Sequence, residues 1–156
     1  MTAPLFLVAP GALAGATVGT DVSVEGAEGR HAVSVHRLRV GERVLVGDGA
    51  GVRVGAEVVG VDRHTLVARV LDVQVRPPAD PRFVLVQALA KGDRDEQAIE
   101  AATELGVDAV IPWQSSRSVV QWRADKVARG QARWESVVAA ATKQSRRFWA
   151  PQVRPV

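Results

Sequence analysis

The sequence predicts an α+β protein in which a small β-barrel comes first and an α/β unit follows. Three features of its 156 residues lead to this prediction. Residues 1–75 contain short Val-rich runs, several of which alternate apolar with polar residues as half-buried strands do. A proline-rich segment at 76–81 interrupts this pattern. Beyond it, continuous apolar runs alternate with a helical pattern, which is typical of a parallel sheet covered on both faces.

The composition excludes several classes of protein. Hydrophobic residues make up 47% of the chain and charged residues 24%, which excludes a disordered tail, a collagen-like polymer and a disulfide-stapled mini-protein. Since the chain has no Cys, it holds neither a thiolate zinc site nor an iron–sulfur cluster. We find no leader typical of a signal peptide and no apolar run of about 18 residues, so we expect a soluble, cytoplasmic protein.

The elements of the first half follow from local patterns. One helix is predicted over residues 26–39, because His31, Val35 and Leu38 recur at helical spacing. The Gly-rich run at 47–51 fits a hairpin better than a dinucleotide-binding loop, because a strand and not a helix follows it. The barrel is predicted from five strands, at residues 5–8, 17–24, 43–47, 52–61 and 66–75.

The prolines at 77, 78 and 81 predict a domain boundary, with domains at residues 1–76 and 82–156. Asp93 is expected to cap a helix with Glu96 three residues on, and Gly106 to end that helix in a left-handed conformation. The elements predicted for the second domain are a strand at 83–90, a helix at 93–105, a strand at 107–113, a helix at 124–144 and an extended end at 152–156.

The second predicted helix has two different faces. Its apolar stripe consists of Val127, Trp134, Val138 and Ala141, and its opposite side carries Lys126, Arg129, Arg133 and Lys143. Gly130, in the middle, costs about 1 kcal/mol relative to Ala. Residues 112–156 contain nine Lys or Arg against two acidic residues. Such a stretch is either a surface that binds a polyanion or a solvated helix face.

Metal and acid–base sites are weakly supported. His31 and His36 are five residues apart, which does not place them on one helix face, and no carboxylate follows at ligand spacing. We therefore expect no metal site. The acidic cluster at Asp93, Asp95, Glu96 and Glu100 is better explained by capping, the helix dipole and solvent than by general acid catalysis.

Two segments point to ligand binding. Lys91 to Arg94 follow the first apolar strand, at the edge where ligands meet open parallel sheets. Residues 143–149 join cations and amide donors to Phe148 and Trp149 at the end of a helix. Cations neutralise phosphates and aromatic rings stack on unpaired bases, so this combination is used to hold single-stranded RNA.

These segments also resemble a known family, the RsmE group of bacterial ribosomal RNA methyltransferases in the SPOUT (trefoil-knot) superfamily. The resemblance implies a PUA-like RNA-binding barrel, followed by the opening of a knotted domain that methylates N3 of uridine 1498 in 16S rRNA with S-adenosylmethionine, in a homodimer. The matching pieces are residues 31–39 with Gly41 and 47–49, then QALAKGDR at 87–94, ELGV at 104–107, IP at 111–112, RS at 117–118, RW at 133–134, QSR at 144–146 and PQVRP at 151–155.

The chain also departs from that family. Ala101 and Lys143 stand where many relatives have Lys and Glu. The family continues through a glycine-rich segment that builds the knot, the methyl-donor pocket and the dimer interface, none of which is present up to Val156. The resemblance therefore implies a fragment, inactive alone, whose cofactor-binding residues lie beyond Val156. We further expect apolar surface to be exposed on its sheet and on the helix bearing Trp134.

Methylation at uridine N3 needs loss of a proton and stabilisation of the charge that spreads onto O2 and O4. The base must also be unpaired to present N3. The residue that removes the proton is not assigned by the sequence. Candidates for the uridine side are Arg117, Gln144, Ser145 and Arg146. Candidates for RNA contact are Arg30, His31, His36, Arg37 and Arg39 in the barrel, and Lys91, Arg94, Arg129, Arg133 and Arg147 beyond it.

Two other functions remain open from the sequence. One is a PUA-like RNA-binding module with an α/β appendage and no catalysis. The other is a small-molecule sensor on an α/β sheet. The residues that would distinguish an enzyme from a binding module are expected beyond Val156.

Overall fold

The computed structural model describes residues 3–156. The chain forms two compact units, the first ending at Pro78 and the second beginning at Ala79. Each unit has its own hydrophobic core. Among the helices of residues 3–156, none is both long and apolar enough to span a membrane.

The first unit is a five-stranded sheet with the order β1-β3-β4-β5-β2. β1 pairs with β3 in parallel, and the other pairs are antiparallel. The last three predicted strands are confirmed, while the second begins at Asp21 rather than at residue 17. The strands are β1 (Leu5–Leu7), β2 (Asp21–Val24), β3 (Arg43–Gly47), β4 (Val52–Val61) and β5 (Leu66–Val75).

The sheet curls around one core, as a barrel does. Alternate residues in the middle of β4, Val54, Ala56 and Val58, and in the first half of β5, Leu66, Ala68 and Val70, are buried in one core with Phe6. Register shifts at Gly55/Ala56 and at Val58/Gly60 mark bulges between β4 and β5. Bulges bend a strand and increase its twist, so two long strands can wrap around a small core.

The helix predicted over 26–39 is shorter than expected. Helix α1 spans Gly26–Arg30 and continues as one π-helical turn, His31–Val35. The helical path has ended by Arg37, whose φ is 53°. Gly29 is required here, because a Cβ at this position would stand 2.1 Å from the carbonyl oxygen of His64.

The second unit is a three-stranded parallel sheet with two helices. The order of the strands is β6-β7-β8. The helix predictions are confirmed to within one residue at their first positions, and Gly106 ends α2 with φ 111° as expected. The elements are β6 (Val84–Ala88), α2 (Arg94–Leu105), β7 (Ala109–Trp113), α3 (Asp125–Gln144) and β8 (Gln152–Val153).

Only one face of this sheet is covered by α2 and α3. Leu85 and Val110 pack with Ile99, Trp134 and Val138 in the core of the unit. Two predictions were therefore wrong: the sheet is not covered on both faces, and the helix face bearing Trp134 is buried. The expected exposure of the sheet is confirmed, since Val84 and Val86 are more than half exposed.

Candidate nucleic-acid interface

The carboxyl ends of β6 and β7 lie at one edge of the second sheet. Ala88 pairs with Trp113, so both parallel strands end side by side. The segment after β6 exposes Lys91 and Arg94, and the segment after β7 spans residues 114–124. In open parallel sheets, this carboxyl edge is where ligands bind.

The start of α2 is held by Asp95 rather than by Asp93. The carboxylate of Asp95 is buried and accepts hydrogen bonds from the backbone N–H groups of Glu96, at 3.0 Å, and Ala90, at 3.5 Å. Asp93 makes no capping hydrogen bond, so that prediction was wrong. Its carboxylate instead accepts a hydrogen bond from Gln97 Nε2 at 3.0 Å.

The 114–124 segment is tied to itself by polar side chains. Ser118 Oγ accepts a hydrogen bond from the N–H of Ser115 at 3.1 Å. Gln114 Oε1 accepts one from the N–H of Trp122 at 2.6 Å. These bonds leave Arg117 exposed at the carboxyl edge.

Trp122 lies directly on Gly130 of α3. A Cβ at Gly130 would stand 2.3 Å from Cε2 of this indole, so no larger residue fits. The ring also meets the buried Trp134 edge to face, with centroids 5.1 Å apart and planes at 71°. The helix is unbroken at Gly130. A glycine that weakens the helix is therefore explained by close approach of an aromatic ring.

A groove of about 690 Å³ runs between the 119–123 segment and α3. No acidic residue is among those that line it. A second cavity, of about 160 Å³, lies against Trp122 and is lined in part by Asp95 and Glu96. The larger groove is lined by Val119, Val120, Gln121, Trp122, Arg123, Lys126, Arg129, Gly130 and Arg133.

Two of the four cations in the groove are paired with carboxylates. Arg129 pairs with Asp125 one turn earlier on α3, and Arg133 pairs with Glu96 of α2. The two arginine side chains remain 71% and 66% exposed, but the Glu96 side chain is only 19% exposed. The Arg129–Asp125 pair is exposed on both sides, and such pairs contribute about 0–1 kcal/mol, so a phosphate can replace Asp125 at small cost.

The end of α3 is organised differently from its start. Ser145 Oγ donates a hydrogen bond to the carbonyl of Ala141 at 2.6 Å, and Arg146 has φ 55°. Gln144 is exposed. Phe148, expected to stack on bases, is 7% exposed, so it is a core residue and that prediction was wrong.

The Arg147 side chain forms hydrogen bonds with backbone carbonyls of the second unit. Its Nη1 donates to the carbonyls of Thr103, at 2.9 Å, and Val107, at 2.6 Å, while Nη2 donates to that of Gly106 at 3.3 Å. Asp108 Oδ1 lies 3.8 Å from Arg147 Nη2. Burial lowers the pKa of this guanidinium, and the charge of Asp108 acts in the opposite direction.

The candidates for the uridine side lie at two different edges. Arg117 follows the carboxyl end of β7. Gln144, Ser145 and Arg146 lead towards the amino end of β8, which is parallel to β7. The 20 residues of α3 separate the two edges, a length of about 30 Å. One copy of the chain therefore does not bring Arg117 together with the other three.

The barrel candidates cluster around the π-helical turn. His31 and His36 lie with ring centroids 4.9 Å apart, because the His36 N–H bonds to the His31 carbonyl, five residues back. The prediction that their spacing separates them was therefore wrong. Arg30, Arg37 and Arg39 are exposed beside them. Within residues 3–156, no group of three or more His, Asp or Glu could hold a metal ion.

Comparison with known families matches nearly the whole chain. A model described as an RNA methyltransferase domain matches residues 78–156, and one described as an RNA methyltransferase PUA domain matches residues 24–71. Two curated relatives are named ribosomal RNA small subunit methyltransferase E. The Mycobacterium bovis protein is 44% identical and the Bacillus subtilis protein 30%, each over 86% of this chain. The chain spans 52% and 53% of their lengths.

Solved structures share the fold. A ribosomal RNA small subunit methyltransferase E from Neisseria gonorrhoeae, bound to S-adenosyl methionine, has a TM-score of 0.86 and 29% identity, covering 99% of this chain and 62% of its own. A Legionella pneumophila protein has a TM-score of 0.87 and 24% identity, covering 100% of this chain and 64% of its own, and supports the fold alone. Because the first family model covers just over half of the chain, this chain belongs to the RNA methyltransferase family, in its RsmE group, with a PUA-like barrel before a SPOUT domain.

Proposed function

We propose that this chain is the RNA-facing part of an enzyme that methylates N3 of uridine 1498 in 16S rRNA of the small ribosomal subunit, with S-adenosylmethionine as methyl donor. The observation that carries the proposal is the 44% identity to a ribosomal RNA small subunit methyltransferase E over 86% of the chain. The cationic groove at the carboxyl edge of the second sheet supports it, because RNA is a polyanion.

The two cavities described above do not suit the methyl donor. S-adenosylmethionine carries a sulfonium cation, to which the larger groove offers no carboxylate and which its Arg123 and Lys126, unpaired among the described residues, would repel. The smaller cavity, about 160 Å³, is below the roughly 300 Å³ of the smallest ordinary ligand pockets. We therefore assign no cofactor-binding residue between residues 3 and 156.

The chain's own residues are suited to the uridine rather than to the donor. Loss of the N3 proton leaves negative charge on O2 and O4, which Arg117, Gln144 or Arg146 can stabilise by donating hydrogen bonds. The Ser145 hydroxyl already donates its hydrogen bond to the Ala141 carbonyl, so towards the uridine it could only accept a hydrogen bond. One copy holds Arg117 at a different edge from the other three. A homodimer is therefore the arrangement in which Arg117 of one copy and residues 144–146 of the other could face the same base.

The proposed RNA contacts of the groove are testable by salt dependence. Replacing Arg129 and Arg133 together with Ala should flatten the plot of log affinity against log salt by about 0.7 for each cation that touches a phosphate of single-stranded RNA. The measurement is a titration of fluorescent RNA at several salt concentrations. Arg43→Ala is the matched control, because Arg43 is also exposed and paired, with Glu57. An unchanged slope would mean that these cations form only a solvated face.

The two predicted domains, residues 1–76 and 82–156, are also proposed as separate folding units. Residues 76–83 are exposed, and we expect a protease of broad specificity to cut there first and leave two resistant fragments. Mass spectrometry of the early fragments measures this. The hairpin at 48–51 is the internal control, because Asp48 is buried and holds the N–H groups of Ala50 and Val52 at 2.8 and 3.0 Å. First cleavage there would contradict the boundary.

The alternative is a PUA-like RNA-binding module without catalysis, and a methylation assay on the natural protein distinguishes the two. Small subunits from cells lacking the modification are incubated with radiolabelled donor, and the methylated position is mapped by reverse transcription. A stop at position 1498, lost when that uridine is replaced by cytidine, supports the enzyme. RNA binding without methyl transfer would support the module. This function also implies a cytoplasmic location.

A further inference from the structure

We propose that Trp122 is a stacking platform for one unpaired RNA base, with the flanking phosphates held by the cations of the groove. This inference rests on the proposed RNA-directed function and adds a specific base-binding position to it. Trp122 is not among the residues that the sequence pointed to, whereas Arg129 and Arg133 of the groove are.

The indole is fixed in place before any ligand binds. One side of it lies on Gly130, where even a methyl group would collide with the ring. Its edge-to-face contact with Trp134 restrains the ring further, and the hydrogen bond from the Trp122 backbone N–H to Gln114 Oε1 restrains the main chain that carries it. Yet Trp122 is partly exposed and lines the groove. A ring that is already ordered loses little conformational freedom when a base stacks on it.

The charge of the groove selects the class of ligand. Four cations and no carboxylate line it, and among the described residues Arg123 and Lys126 form no ion pair. Its volume of about 690 Å³ is within the usual range for ligand sites. An aromatic ring beside a row of cations is the arrangement that holds unpaired bases and their phosphates together. A duplex offers phosphates to this groove but no free base face, so we infer a single-stranded segment.

The test uses the full 156-residue chain and a single-stranded RNA of about twelve nucleotides, with the same strand in a duplex for comparison. Affinity is followed by anisotropy and stacking by quenching of Trp fluorescence. Trp122→Leu should weaken single-strand binding about tenfold and remove most of the quenching, with the salt slope unchanged. Trp122→Phe keeps an aromatic ring, so its affinity should stay within about threefold of the native chain.

Two further variants separate stacking from loss of folding. Gly130→Ala leaves every charge in place but displaces the indole, so it should reproduce the loss of quenching. Trp113→Leu is the matched control, because Trp113 is 54% exposed in the same unit and does not line the groove. It should bind RNA as the native chain does. Each variant is first shown to unfold cooperatively in urea.

The outcomes distinguish this inference from the proposed function. Folded Trp122→Leu with native affinity and quenching would overturn the platform, whether or not the natural protein methylates uridine 1498. Equal binding of single strand and duplex by the native chain would also overturn it. Loss of single-strand affinity in Trp122→Leu, with no methylation of uridine 1498 by the natural protein, would support the platform and overturn the proposed enzyme.

Discussion

A polypeptide limited to residues 1–156 is expected to transfer no measurable methyl group to 16S rRNA and to bind S-adenosylmethionine more weakly than about 1 mM, roughly 4 kcal/mol. In open parallel sheets, a ligand crevice is built from loops at the carboxyl ends of several strands. The second unit offers two such segments, after β6 and after β7. The segment after β7 lines a groove whose charge is wrong for a sulfonium cation, and the segment after β6 lines a cavity of about 160 Å³, which is too small for the donor.

Calorimetric titration with the methyl donor measures this directly. The Neisseria gonorrhoeae ribosomal RNA small subunit methyltransferase E, whose structure is bound to S-adenosyl methionine, is the positive control, and it should bind the donor under the same conditions. Cooperative unfolding of residues 1–156 in urea shows that they are folded. A micromolar dissociation constant for residues 1–156, about 8 kcal/mol of binding, would mean that a complete donor pocket lies within them and that the proposed role of this chain is mistaken.

The strands were predictable because burial on one face leaves a strict pattern. β3, β4 and β5 have the predicted bounds, since alternating Val residues and turns that contain Asp or Gly specify both face and length. The two helices of the second unit were equally clear. α2 ends at Gly106, which adopts the left-handed conformation that glycine favours.

The errors have one physical cause: tertiary contacts changed local geometry in ways that spacing does not encode. A helix of ordinary pitch separates His31 from His36, but a π-helical turn shifts the hydrogen bond to the fifth residue and brings the rings together. Phe148 looked exposed because cations precede it, yet it is buried. From the sequence, Gly130 only weakens the helix; in the structure it makes room for the ring of Trp122, eight residues earlier.

The candidate site was predictable in kind but not in detail. The excess of cations after residue 112 indicated a polyanion surface, and four of them line one groove. Sequence patterns do not separate those cations from Arg147, because all belong to the same basic stretch. Only the hydrogen bonds distinguish them. Arg147 serves the carbonyls at the end of α2, while Arg123 and Lys126 face the groove.

Replacing Arg147 with Ala is expected to destabilise the second unit by about 2–4 kcal/mol. The guanidinium satisfies three carbonyls around the end of α2 and lies 3.8 Å from Asp108, with only 15% of its side chain exposed. Removing it leaves these carbonyls and a partly buried carboxylate without their cation. Unfolding in urea, followed by Trp fluorescence, should shift its midpoint down by roughly 1–2 M.

Arg147→Lys and Arg154→Ala are the matched controls for this expectation. Lysine keeps the positive charge, but its single ammonium group cannot bond all three carbonyls as the planar guanidinium does. The stability of Arg147→Lys should therefore lie between those of the native chain and Arg147→Ala. Arg154 is exposed in the same unit, and its removal should change the free energy of unfolding by less than about 0.5 kcal/mol. If Arg147→Ala instead unfolds at the native midpoint and loses RNA affinity, Arg147 acts on RNA, and its contacts to the end of α2 contribute little to stability.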